Sequence, residues 1–215
     1  MTELPPIDDA AVLWSAPAPE RSGRPLLLML HGYGSNEADL FGLVPYLPPE
    51  YAVASLRAPL PAPSSPGFSW YPFETIRSPR QDGATAAARR VIEWLDTAAP
   101  DAPAVGLLGF SQGVSVAIQA LRLQPERFGF TVNLSGTFAG GSMPGDAVLA
   151  ERRPPAFWGR GDRDQVIPIE MVIATADWLP RHTSSTATVY PGLTHSVSQQ
   201  ELDDVRAFLA DRLAG

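Results

Sequence analysis

Residues 109–113 read Gly-Phe-Ser-Gln-Gly and follow the apolar run Ala104–Leu108. A helical pattern begins directly after them. Apolar run, G-x-S-x-G and helix together are the layout of a serine held on a sharp strand-to-helix turn. Such a turn crowds the residues two before and two after the serine, and glycine at 109 and 113 removes the side chains that would collide. Ser111 would then present its hydroxyl clear of the backbone, at the start of a helix.

A serine hydroxyl attacks a carbonyl poorly near neutral pH and needs a positioned base. The chain has three histidines: His31, His182 and His195. His195 follows the strand candidate Thr186–Tyr190 and the turn Pro191-Gly192, and it precedes the last helical pattern. That places it on a loop at the same sheet edge as Ser111. His182 sits at a helix C-terminus, where a histidinium suits the helix dipole, and is read as a surface residue. The base needs an acid to hold its tautomer. Asp162 and Asp164 follow the strand candidate Pro155–Trp158, and Asp164 stands just ahead of the next helix. Asp164 is taken as the acid and Asp162 as a brace of the loop. The order Ser111, Asp164, His195 is that of α/β hydrolases.

Attack turns the carbonyl oxygen into an oxyanion, which needs preorganised donors. The backbone N–H of Gln112, next after the nucleophile, is one. The segment His31-Gly-Tyr-Gly34 supplies the other at Tyr33, because its two glycines let the loop bend toward the site. His31 is read as pinning that loop through side-chain hydrogen bonds rather than as a second base.

These residues need a scaffold. Strand candidates Leu26–Leu30, Tyr51–Leu56, Ala104–Leu108, Phe130–Leu134, Pro155–Trp158 and Thr186–Tyr190 alternate with helical patterns. That is the signature of a mainly parallel sheet with crossover helices, with Ala11–Trp14 as an antiparallel edge. Ala84, Ala87, Ala88, Val91, Ile92 and Leu95 share one helix face, as do Val114, Ala117, Ile118 and Leu121. A helix from Pro168 to Leu179 should stop at Pro180. Ser198-Gln-Gln-Glu201 reads as a capping box opening the last helix. Two segments, 59–79 and 136–154, carry no regular pattern. Both fall after strands, at the carboxyl edge where open α/β sheets bind ligands. The aromatics of the first, Trp70 and Phe73, are expected to line an acyl site.

Composition sets limits. The chain has 215 residues, of which 45% are hydrophobic and 18% charged, with a net charge of −7. This fits one globular α/β domain over 1–215, with no interval long enough for a large cap. The acidic balance argues against nucleic acid or anionic membrane as a partner. With no cysteine and no lysine, thiolate and Schiff-base chemistry are excluded. No apolar run reaches the ~20 residues that span a bilayer. The first ten residues carry acids and no basic region, so a cytoplasmic location is expected.

The chain resembles the phospholipase/carboxylesterase family of α/β hydrolases, which includes acyl-protein thioesterases. The likeness rests on Leu30-His-Gly-Tyr-Gly34, Phe68-Ser-Trp-Tyr71, Gly109-Phe-Ser-Gln-Gly113, Gly161-Asp-Arg-Asp-Gln-Val-Ile-Pro168 and Tyr190-Pro-Gly-Leu-Thr-His-Ser196. Val114 stands where the family often has a second glycine. The resemblance implies a serine hydrolase without a cofactor, acting on small-molecule carboxylic esters or thioesters. It also implies a group whose members often pair through exposed apolar surface. The expected reaction is hydrolysis of short- to medium-chain esters through an acyl-enzyme on Ser111. The alternatives are a long-chain thioesterase or lysophospholipase, a peptidase, and a hydrolase fold retained for binding alone.

Overall fold

The structure, a computed structural model, describes residues 4–72 and 81–214. Its centre is a seven-stranded sheet. The strands are β1 (Leu13–Trp14), β2 (Leu26–Leu30), β3 (Ala52–Leu56), β6 (Val105–Phe110), β7 (Phe130–Leu134), β8 (Pro155–Gly161) and β9 (Ser184–Tyr190). They lie in the order β1-β3-β2-β6-β7-β8-β9, all parallel except β1, which pairs antiparallel to β3 at the edge. A short hairpin of β4 (Leu60–Pro61) and β5 (Phe68–Ser69) stands apart from it.

Every residue of β2 is buried, as an unbroken apolar strand requires when helices cover both faces. Successive side chains point to opposite faces, and the two core layers follow that alternation. Leu26, Leu28 and Leu30 face a layer that includes residues of α2 (Gln81–Ala98), α3 (Gln112–Leu123), α4 (Gly145–Arg152) and α5 (Ile169–His182). Leu27 and Met29 face the other, where α1 (Glu37–Phe41) contributes Leu40 and α6 (Gln199–Leu213) contributes Val205 and Leu209.

Three expectations change. The segment 136–154 contains α4. Its tether is Arg122, whose side chain is fully buried and pairs with Asp146 through Nε–Oδ1 at 2.7 Å and Nη2–Oδ2 at 2.8 Å. Arg122 also donates to the carbonyls of Gly140 and Gly141. Second, α5 continues through Pro180 to His182. Proline removes one donor, but the last turn has other bonds. His182 Nδ1–H donates to the Trp178 carbonyl at 2.8 Å, and both Thr183 N–H and its hydroxyl donate to the Leu179 carbonyl. Third, half of the capping box forms. Ser198 Oγ accepts the Glu201 N–H at 3.1 Å, but neither carboxylate oxygen of Glu201 makes a hydrogen bond in return. That carboxyl lies against Gly159 of β8, in the space a side chain there would need.

Candidate active site

Ser111 lies between β6 and α3 with φ 52° and ψ −115°, a positive-φ conformation that non-glycine residues rarely hold. Its N–H donates to the Leu134 carbonyl at 3.0 Å, which anchors the turn to β7. The flanking glycines are sterically required. A Cβ at Gly109 would stand 2.6 Å from the Gly113 carbonyl carbon and the Val114 nitrogen. One at Gly113 would collide with the Leu30 carbonyl at the end of β2. The N-terminus of α3 points at this turn. Its first amides, beginning with Gln112, lack intrahelical acceptors and favour negative charge there.

Asp164 and His195 sit on the loops after β8 and β9. His195 Nδ1 lies 2.7 Å from Asp164 Oδ2, with side-chain exposures of 17% and 7%. Facing a carboxylate, Nδ1 carries the proton and Nε2 is left with a lone pair. The other Asp164 oxygen accepts the N–H groups of Val166 at 2.8 Å and Ile167 at 3.2 Å, so the carboxylate cannot swing. The Phe110 ring packs on the imidazole, with centroids 4.9 Å apart. Asp162 turns to the loop instead and accepts the Gly192 N–H at 2.6 Å.

Two clefts meet at Ser111 and His195. One, of about 600 Å³, runs along the 32–39 segment and is open and polar, with Asp39 on its wall. The other, of about 180 Å³, is mainly apolar and is lined by Tyr71, Val166, Ile167 and Met171, with Gln112 at its inner end. Tyr33 borders both. Burial pushes the Tyr71 phenol up to about 12, against the pull of its bond to Ser115, so it remains a neutral wall group.

The structure thus brings Ser111, Asp164, His195, Tyr33 and Gln112 to one place. Trp70 does not line either cleft. Its side chain is fully buried, and its indole N–H donates to the His31 carbonyl at 2.8 Å. The next residue, Tyr71, is the aromatic that reaches the cleft. Phe73 lies outside the described residues. Val166, Ile167 and Met171 were not singled out from the sequence. The signal available was their place between Asp164 and the first turn of α5, at the sheet edge that carries Ser111.

A parallel sheet carrying a strained serine at the end of β6, with a carboxylate–imidazole pair on the loops after β8 and β9, defines an α/β hydrolase. Residues 15–213 match the family described as Phospholipase/Carboxylesterase, and the chain belongs to that family. A probable carboxylesterase of Oryza sativa subsp. japonica is 29% identical, over 97% of this chain and 86% of its own. Acyl-protein thioesterase 1 of Saccharomyces cerevisiae is 31% identical over about half of each chain, 49% and 48%. A carboxylesterase from Mesorhizobium loti shares the fold at a TM-score of 0.78 and 20% identity, covering 97% of this chain and 99% of that one. The protein is accordingly a hydrolase of the carboxylesterase and acyl-protein thioesterase type. No helix among the described residues is long and apolar enough to cross a membrane.

Proposed function

We propose that this protein is a serine carboxylesterase for short- to medium-chain esters, with Ser111 as nucleophile, His195 as base and Asp164 as the acid that orients it. The observation that carries this reading is the 2.7 Å contact of His195 with Asp164 beside a cleft that Ser111 and His195 share. His195 Nε2 takes the Ser111 proton as Oγ attacks the ester carbonyl. The oxyanion is held by the main-chain N–H groups of Gln112 and Tyr33. The carbon–oxygen bond to the leaving alcohol breaks as His195 returns the proton to it. Water, deprotonated by the same imidazole, then releases the acyl group as a carboxylic acid and restores the Ser111 hydroxyl.

Chain length follows from volume. The apolar cleft of about 180 Å³ holds roughly six groups the size of a water molecule. Each methylene buried there contributes about 0.8 kcal/mol. The wider polar cleft takes the leaving alcohol. One observation favours a longer acyl chain: Val166, on the wall of the apolar cleft, is 41% exposed. It gives a chain that overruns the cleft an apolar contact at the rim.

The test is hydrolysis of p-nitrophenyl esters from acetate to palmitate by the wild type and Ser111→Ala. A maximum at short to medium chains that vanishes in the variant is the expected result. A maximum at palmitate favours the long-chain reading. Undiminished activity in Ser111→Ala, or none in the wild type, overturns the proposal.

A further inference from the structure

We propose that Asp39 is a specificity residue of the wider cleft, selecting esters whose leaving alcohol carries an ammonium group. The inference rests on the esterase reading above, which puts the alcohol in that cleft.

The cleft of about 600 Å³ opens beside Ser111 and His195. It has room for roughly twenty groups the size of a water molecule, so the alcohol can carry a bulky substituent. Among the described residues on its wall, Asp39 alone carries a fixed charge. Glu37, two residues earlier, is buried and already neutralised. Both of its oxygens bind Arg57, one to Nε at 2.7 Å and the other to Nη2. The nearby guanidinium is therefore engaged with Glu37, and it packs over the Phe68 ring.

Asp39 has a different kind of partner. Its Oδ2 accepts the Ser35 hydroxyl at 2.7 Å. This neutral donor orients the carboxylate and leaves its charge in place. Among the described residues no cation pairs with Asp39. Ser35 is itself fixed: its N–H donates to the Gly32 carbonyl at 3.2 Å, and its carbonyl accepts the Phe68 N–H at 2.7 Å. Gly32 in turn is close to the nucleophile, since a Cβ there would stand 3.4 Å from Ser111 Cβ. The turn that passes Ser111 thus carries an oriented, uncompensated carboxylate on the wall of the alcohol's cleft.

The rest of the wall suits an alkylated cation. Tyr33 and Phe110 bring aromatic side chains to it, and aromatic faces attract ammonium groups. The net charge of −7 draws cations toward the protein as a whole. An alcohol bearing a carboxylate or phosphate meets Asp39 as repulsion instead.

The test compares choline butyrate, its uncharged carbon isostere and the butyrate ester of a hydroxy acid, on the wild type and Asp39→Asn. The variant keeps an acceptor for the Ser35 hydroxyl and loses the charge. The readout is kcat/KM, which covers the step in which the alcohol is still attached. An exposed ion pair is worth little, so the ratio of choline ester to isostere should fall by about threefold to fivefold in the variant. The ratio of hydroxy-acid ester to isostere should rise. In the wild type, the preference for the choline ester should shrink as salt goes from ~0.01 M to ~1 M, a result that needs no variant. Unchanged ratios in Asp39→Asn, an equal fall for all three esters, or a preference indifferent to salt overturns the proposal. A wild type inactive on every ester, p-nitrophenyl butyrate included, overturns the esterase reading instead. Choline titrated alone into both proteins then decides the cation site. Amide shifts in residues 32–39 that Asp39→Asn loses support it, and no shift in the wild type overturns it.

Discussion

Asp164 reaches His195 across 31 residues of chain and meets it at 2.7 Å, while its second oxygen is held by the amides of Val166 and Ile167. The carboxylate is therefore fixed at both ends before any substrate arrives. In the proposed mechanism, such preorganisation lets it orient the imidazole without a cost at the moment of reaction.

Asp164→Asn tests that arrangement. The Asn oxygen can keep the two amide bonds, which points its NH₂ at His195 Nδ1 and forces the opposite tautomer. We expect kcat to fall by about 10³–10⁴-fold with little change in KM. Asp162→Asn, which loosens only the bond to Gly192, should fall far less. Steady-state kinetics on one ester compares the two, and equal losses would remove Asp164 from its role.

Gly113→Ala should be structurally costly, because its Cβ would meet the Leu30 carbonyl and stand 2.8 Å from that of His31. Overpacking against backbone typically costs about 1–3 kcal/mol. Gly129→Ala, whose nearest neighbour would be the Val105 oxygen at 3.8 Å, should stay within about 0.5 kcal/mol of the wild type. Chemical denaturation of both variants measures the contrast.

The Arg122–Asp146 pair predicts a marked non-additivity. Arg122→Met leaves Asp146 without its partner and two glycine carbonyls without donors. Breaking one side of a buried pair costs about 3–5 kcal/mol. Arg122→Met/Asp146→Leu should cost much less than the two single changes added together. A double-mutant cycle by denaturant unfolding reads the coupling.

Glu201 makes stability depend on pH. Burial, helped by the Asp204 charge and opposed by the nearby Ser198 N–H, raises its pKa from 4.5 to about 7. Between those values the folded protein holds a proton that the unfolded chain has released, so stability falls as pH rises through that window. Glu201→Gln should match the wild type below pH 4.5 and exceed it above pH 7, by at most on the order of 3 kcal/mol. Unfolding free energies of the two proteins at pH 5 and pH 8 check the sign. An equal gap at both would show that Glu201 does not titrate in this range.

What the sequence determined on its own was local or periodic. Gly109, Ser111 and Gly113 announce the elbow because its steric demands fall within five residues. The strand β2 is legible to the residue because a doubly covered strand can be apolar throughout, and β7 because Phe130, Val132 and Leu134 alternate with Thr131 and Asn133. Chain order brought Asp164 and His195 to one sheet edge, since parallel strands with crossover helices put every post-strand loop on the same side. What only the tertiary structure decided was which way neighbouring side chains turn and what a buried group meets. Trp70 and Tyr71 are adjacent aromatics of similar character, yet one locks the His31 loop from within and the other lines the cleft. Arg122 reads as an ordinary helix residue, and Glu201 as the returning half of a capping box. One proved to be the tether of α4 and the other an unbonded carboxyl against β8. The partners responsible, Asp146 and Gly159, lie on other elements. No window of sequence contains such pairs, and only close packing in three dimensions chooses them.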